Sequence, residues 1–274
     1  MKPAPFAYAR PKSLGEAVAL LGQSGARALA GGQSLVPLLN LRLAPVERLV
    51  DLGAVAELRA VRDGGGTILY GAMTAHAAFE DGEVPDASNG LMPFVASQFA
   101  FRAVRNRGTI GGALALADPA ADWLTAAVVL EARLHLIGAA GRRIVEAEEF
   151  VLGPYFTALG EGELIEAVEV PKRAASERWG HAKVAMKVGE YAESMAVGLI
   201  DRKSDRARLV LGAADGAPIL FPEIAQRALG GATSDELRHA ARQALVAAGR
   251  DFTPAKLAMH TTNLLRAIAQ AAAA

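Results

Sequence analysis

The stretches Leu29-Ala30-Gly31-Gly32-Gln33-Ser34-Leu35 and Arg107-Gly108-Thr109-Ile110-Gly111-Gly112 decide how this 274-residue chain is read. Each sets paired glycines beside a hydroxyl-bearing residue. Glycine lets a ligand approach the main chain closely. Successive N–H groups in such a turn form a concave anion site, and a Ser or Thr hydroxyl adds a donor. Two such loops in one chain read as two jaws on one diphosphate. Other phosphate-binding grammars are absent. No G-x-G-x-x-G opens a helix, no Gly-Lys pair marks a Walker loop, and no G-x-S-x-G surrounds Ser34.

Around the first stretch the pattern is βαβ-like. Ser13 and Glu16 spell a capping box ahead of Ala17, Val18, Leu20 and Leu21, and Gly22 and Gly25 end that helix. Strands are expected over 27–30 and 48–52, giving a small α+β unit that ends near residue 53. Residues 54–173 read as a second unit. It holds a hairpin over 61–70 with Gly64-Gly65-Gly66 at its tip and a mostly helical stretch from Leu91 to Phe99. After the second glycine stretch, Asp118-Pro119 has the grammar of an N-cap followed by proline at the first helical position, so a helix is expected to run to about Glu131. Strands follow over 133–137 and 164–170. The polar segment 171–178 is taken as the boundary of a C-terminal domain, 178–274, with strands over 183–187, 195–200 and 209–213. Two helices close it, one capped by Thr233 and Glu236 and one starting at Thr253-Pro254, with Ala271 to Ala274 as a frayed end.

Composition narrows the function classes. Lys plus Arg and Asp plus Glu number 29 each, so nothing points to nucleic acid, and near-neutrality permits assembly with other chains. There is no cysteine, which excludes disulfides, thiol nucleophiles and any iron–sulfur cluster held by this chain's own thiolates. The five histidines, His76, His135, His181, His239 and His260, lack metal-ligand spacing. The N-terminus has no apolar signal region and no run is long enough to span a bilayer, so a cytoplasmic protein without membrane insertion is expected.

Two further groups could serve a ligand. Asp118 and Asp122 lie four apart, on one face of the expected helix, close behind the second glycine stretch. As carboxylates they can accept bonds from ligand hydroxyls such as a ribityl chain, or simply cap the helix. Lys183 and Lys187 would share one face of a strand, with Tyr191 beyond, offering cationic and aromatic groups to an electron-rich ring or to solvent.

With these segments in order, the chain resembles the FAD-binding medium subunits of molybdenum hydroxylases, the group that includes the bacterial carbon monoxide dehydrogenase flavoproteins and, more distantly, the flavin domain of xanthine dehydrogenase. The two glycine stretches, Asp118-Pro119-Ala120-Ala121-Asp122, Gly153-Pro154-Tyr155-Phe156-Thr157 and Gly162-Glu163-Leu164-Ile165 carry the resemblance, which extends from Phe6-Ala7-Tyr8-Ala9-Arg10-Pro11 to the final helix.

The resemblance implies an α+β chain. A vanillyl-alcohol-oxidase-like (PCMH-type) FAD-binding domain over 1–173, built of subdomains 1–53 and 54–173, precedes a C-terminal α+β domain of the carbon monoxide dehydrogenase flavoprotein type. By position it places Leu29, Ala30, Gly31, Gly32, Gln33, Ser34 and Leu35, with Thr109, Ile110, Gly111 and Gly112, around the pyrophosphate. Asp122 falls at the ribityl hydroxyls, with Asp118 close by, and Ile165, Lys183 and Tyr191 fall near the isoalloxazine. It also implies an oxidoreductase component without catalytic residues of its own. FAD would relay electrons from [2Fe–2S] clusters of a small partner subunit to an external acceptor, after substrate oxidation at a molybdopterin cofactor in a large partner subunit, in a dimer of heterotrimers. A free-standing flavin oxidase and a non-enzymatic FAD module are the rival readings. The pattern departs at Ala113, where many relatives have Asn or Ser directly after Thr-Ile-Gly-Gly. One side-chain hydrogen bond to the cofactor, worth about 1 kcal/mol, is then missing.

Overall fold

The computed structural model describes residues 2–273. Its first unit is a parallel sheet made of β1 (Ala7–Ala9), β2 (Ala26–Leu29) and β3 (Arg48–Asp51), in the order β1-β3-β2, with helices α1 (Leu14–Leu21) and α2 (Leu35–Asn40) as connections. Ser13 caps α1 by accepting from the Glu16 N–H. The Glu16 carboxylate takes the Lys12 N–H, one residue earlier than a strict capping box. Leu14, Ala17 and Leu21 of α1 pack with Val50 and Leu52 in a small core. The parallel order leaves the carboxyl ends of β2 and β3 side by side, with Leu29 paired to Asp51.

The second unit surrounds an antiparallel sheet of order β4-β5-β10-β6-β7, comprising β4 (Val61–Asp63), β5 (Thr67–Gly71), β6 (Arg133–Gly138), β7 (Gly141–Glu146) and β10 (Leu164–Pro171). Between β5 and β6 run α3 (His76–Glu80), α4 (Leu91–Ser97), α5 (Arg102–Arg105), α6 (Ile110–Leu116) and α7 (Asp122–Val129). The short α8 (Ala147–Phe150), β8 (Val151–Gly153) and β9 (Phe156–Thr157) precede β10. The buried side of the sheet and the helices share the largest core, built on Tyr70, Phe79, Leu91, Leu124 and Leu134. Along α7 every residue is buried.

The third unit is an antiparallel sheet of β11 (Arg178–Val184), β12 (Ser194–Asp201), β13 (Arg206–Gly212) and β14 (Ile219–Leu220), followed by α9 (Pro222–Leu229), α10 (Ser234–Ala247) and α11 (Pro254–Ala273). Both faces of β12 are covered, so all eight of its residues are buried. Val197 and Leu199 join the core of the second unit, while Ala196 and Ile200 face α11. A Cβ on Gly180 would fall 2.0 Å from the Ala267 carbonyl, so α11 rides directly on β11.

The α+β architecture agrees with the sequence reading. Four local expectations do not. The helix expected from Asp118 begins at Asp122. Asp118 instead accepts the Ala120 N–H in a side-chain turn, because Ala121, with ψ 133°, is still extended. The Lys183–Lys187 strand ends at Val184, and Lys187 lies in an exposed loop against Glu190. Ala271 is 2 % exposed in the core and the helix continues through Ala273, so the chain end to that point is not frayed; Ala274 lies outside the described residues. The second glycine stretch opens a helix, as described next.

Candidate functional site

The first glycine stretch leaves the parallel sheet at the carboxyl end of β2 and turns into α2. Gly32 sits at φ +73°, a conformation costly for any residue with a Cβ, and lets the chain curl between the two elements. Among the described residues, the backbone N–H groups of Gly31, Gly32, Gln33 and Ser34 have no protein acceptor. The Gln33 amide donates back to the Gly31 carbonyl at 3.1 Å, and the Ser34 hydroxyl makes no capping bond. Four consecutive unspent donors around a left-handed residue constitute an anion nest.

The second stretch is built differently. Thr109 is the N-cap of α6, and its hydroxyl accepts the Gly112 N–H at 3.1 Å. The Ile110 N–H goes to the Thr74 carbonyl, that of Gly111 to Ala72 and that of Ala113 to Thr109. These donors are therefore consumed inside the protein, and the expected second loop of free N–H groups is a capped helix start. The glycines serve close packing instead. A Cβ on Gly111 would lie 2.5 Å from the Ala72 Cβ, and one on Gly112 would lie 3.2 Å from the Ala30 Cβ.

The two stretches meet. A Cβ on Gly31 would collide with the Arg107 carbonyl at 2.0 Å, and Ala30 faces Gly112. Behind this seam, the His76 N–H bonds to the Gly108 carbonyl, and Trp123 Nε1 donates to His76 Nδ1 at 3.0 Å. Burial, aided by nearby Arg105, pushes the His76 imidazole down to about 3, so the ring is neutral and carries its proton on Nε2. A cleft of about 370 Å3 opens on the seam. It is lined by Leu29 to Gln33, Val36, Pro37, Asp51 and Arg107. Arg107 is exposed and has no ion-pair partner among the described residues, leaving its charge for a ligand anion.

The remaining candidates form a second cluster, where α7 meets β11. Asp122 is the first residue of α7, with its side chain 3 % exposed, and both carboxylate oxygens bond Lys183 Nζ at 2.9 and 3.0 Å. Burial pushes the Asp122 carboxyl above the usual range, against the downward pull of Lys183. Asp118 accepts from the Tyr155 hydroxyl at 3.1 Å. Burial, then the charges of Asp118, Tyr155 and Asp122, raise the Tyr191 hydroxyl, which places Tyr191 in the same group. Ile165 is 4 % exposed within the main core, beside a bulge in β10.

Three residues in these surroundings escaped the sequence reading. Arg107 adjoins the glycine stretch but carries no signal separating it from the neighbouring Arg105, which is spent on Glu80. Asp51 reads in the sequence only as a residue within the strand expected over 48–52, and the structure ends that strand at it. Tyr155 joins the cluster through a left-handed backbone, φ 55°, that sequence does not announce. Among the described residues no group of His, Asp or Glu could hold a metal ion, and no helix is long and apolar enough to cross a membrane.

Residues 4–173 match the family model described as the FAD binding domain in molybdopterin dehydrogenase. Over 206 residues the chain is 41 % identical to the carbon monoxide dehydrogenase medium chain of Hydrogenophaga pseudoflava, covering 74 % of this chain and 71 % of that one. Over 248 residues it is 31 % identical to the nicotine 6-hydroxylase medium subunit of Paenarthrobacter nicotinovorans, covering 89 % and 87 %. Its fold is similar to a chain of the H. pseudoflava carbon monoxide dehydrogenase structure, with TM-score 0.91, 37 % identity and coverage of 100 % and 99 %. It is likewise similar to a chain of quinoline 2-oxidoreductase from Pseudomonas putida 86, with TM-score 0.90, 33 % identity and the same coverage.

Proposed function

The chain belongs to the family of FAD-binding subunits of molybdopterin dehydrogenases, an oxidoreductase component with FAD as its cofactor, and from that premise we propose that it works as an electron relay within a larger assembly. It takes electrons from iron–sulfur clusters of a small partner subunit and passes them to an external acceptor. Substrate oxidation takes place on a large molybdopterin-bearing partner, and two such heterotrimers associate in the holoenzyme.

The observation that carries this reading is the seam between the glycine stretches. Gly31, Gly32 and Gln33, three of the four residues with unspent N–H donors, line one cleft with Arg107, and Gly31 lets the first stretch pack directly on the Arg107 carbonyl. That donor set fits a diphosphate. When bound, FAD supplies the redox chemistry, because it can exchange electrons singly or in pairs. The protein's own residues bind and orient. The nest at Gly31 to Ser34 and Arg107 hold the pyrophosphate, and Thr109, Ile110, Gly111 and Gly112 brace the nest by packing the α6 start against Ala30, Ala72 and Thr74. Asp118 and Asp122 stand toward the ribityl hydroxyls. Ile165, Lys183 and Tyr191 border the ring, with the Lys183 charge balanced by Asp122. The absence of cysteine agrees with clusters held elsewhere.

Purified chain, alone and co-expressed with its partners, tests the proposal by absorbance. Flavin bands near one FAD per chain, bleached by substrate only when the partners are present, are the expected result. Bleaching by an organic substrate without partners identifies a free-standing oxidase. Absence of flavin even in the assembly overturns the site.

A further inference from the structure

We infer that Asp51 is a ribose-binding residue and that the cleft beside it receives the adenosine half of the dinucleotide. Asp51 ends β3, the central strand of the parallel sheet, and its register partner is Leu29, the last residue before the nest. In parallel sheets ligands settle at the carboxyl ends of adjacent strands. Here one strand end supplies free N–H donors and the next supplies a carboxylate, and both line one cleft.

The carboxylate is held in place. Its Oδ1 accepts the Gly53 N–H at 2.8 Å, its Oδ2 accepts the Tyr8 hydroxyl, and Arg10 Nε stands 3.5 Å away. An ionised carboxylate has about four acceptor positions, so about two remain for a ligand. Its side chain keeps 18 % exposure, enough for contact from the cleft. A carboxylate accepts and does not donate, so it selects hydroxyls and repels phosphate. The nest and Arg107, in the same cleft, select phosphate. A phosphate joined to a vicinal diol satisfies both, and Val36 and Pro37 offer apolar surface to an attached base. The phosphoribosyl unit of the adenylate half meets that description, while the ribityl chain lies toward Asp122. The spacing from Gly31 to Asp51, about twenty residues, parallels the interval between glycine turn and ribose-binding acid in other dinucleotide domains, although no G-x-G-x-x-G is present.

This assignment rests on FAD being the ligand, and its test keeps the two apart. The full chain, freed of flavin, is titrated with FAD and with an FAD analogue whose adenosine carries 2′-deoxyribose. The wild type should bind FAD about tenfold more tightly, the worth of one hydrogen bond to a charged acceptor. Asp51→Asn, with far-UV circular dichroism and melting temperature as folding controls, should bind FAD about tenfold more weakly and lose that discrimination. Equal affinity of the wild type for both ligands overturns the assignment without need of a variant and leaves FAD binding standing. Full discrimination retained in folded Asp51→Asn also overturns it. A wild-type chain that takes up neither ligand overturns the FAD reading and this assignment together.

Discussion

A carboxylate at position 112 should separate binding from folding. Gly112 is the third residue of α6, where negative charge is favourable to the helix, and its missing Cβ faces Ala30 across the seam. Gly112→Asp is expected to fold but to lose FAD. Two like charges about 4 Å apart repel by about 4 kcal/mol at an effective dielectric near 20, close to a thousandfold in affinity. Flavin content per folded chain checks this, and normal content would move the pyrophosphate elsewhere. His76 makes a second residue-scale prediction, through pH. Its folded value of about 3 lies below its ordinary 6.5. The unfolded chain therefore binds the proton first, and the contribution to stability is full above about pH 6.5 and declines as pH falls toward 3. At pH 5 the loss from this ring is about 2 kcal/mol. Stability measured by denaturant at pH 7 and pH 5 should show this loss, and His76→Gln, which has no titrating ring, should show less of it.

Between elements, the α7–β11 contact is the most sensitive point. Lys183 reaches from the third unit into the second to hold Asp122, with side chains 12 % and 3 % exposed. Removing one partner of a buried pair leaves an uncompensated charge and costs about 3–5 kcal/mol. Lys183→Met should therefore lower the melting temperature strongly, and the double variant Asp122→Asn/Lys183→Met should recover much of the loss. Recovery distinguishes the pair from a simple packing defect at β11. The same contact explains why Asp118 and Asp122, four apart in sequence, behave differently. Asp118 closes a turn and meets Tyr155, whereas Asp122 starts the helix and is buried. The 118–122 segment was legible as a helix entrance, but its first helical residue was not. Asp-Pro suits a turn as well as a cap, and the choice is made by the packing of α7.

Across the whole molecule, two kinds of contact tie the third unit to the second. Val197, Leu199 and Val210 enter the main core, and Glu131, held at φ +52°, accepts from Arg173, Arg206 and Arg208. A shared core should make these two units melt in one transition, visible as coincident unfolding curves by far-UV circular dichroism and tryptophan fluorescence. FAD binds the folded chain only. At a free concentration 100 times its dissociation constant it should add about 2.7 kcal/mol, raising the melting temperature by several degrees, a gain lost when the flavin is removed. A melting temperature indifferent to FAD would contradict the site.

The order of the chain's motifs carried the resemblance to the flavin subunits, and the residue patterns alone determined the α+β class, several strands, the helices α1, α4, α7, α10 and α11 to within a few residues, and the two glycine stretches. These are local or periodic properties, set by turn chemistry and by the alternation of apolar residues. Tertiary structure decided the rest. It brought Gly31 against Arg107 and Ala30 against Gly112, spent the donors of the second stretch on Thr74 and Ala72, and left those of the first free. It also buried Asp122 on Lys183 and set Asp51 beside the nest. Whether an N–H or a carboxylate is available to a ligand depends on which distant group reaches it first. That competition takes place in space, between residues that the chain order does not pair.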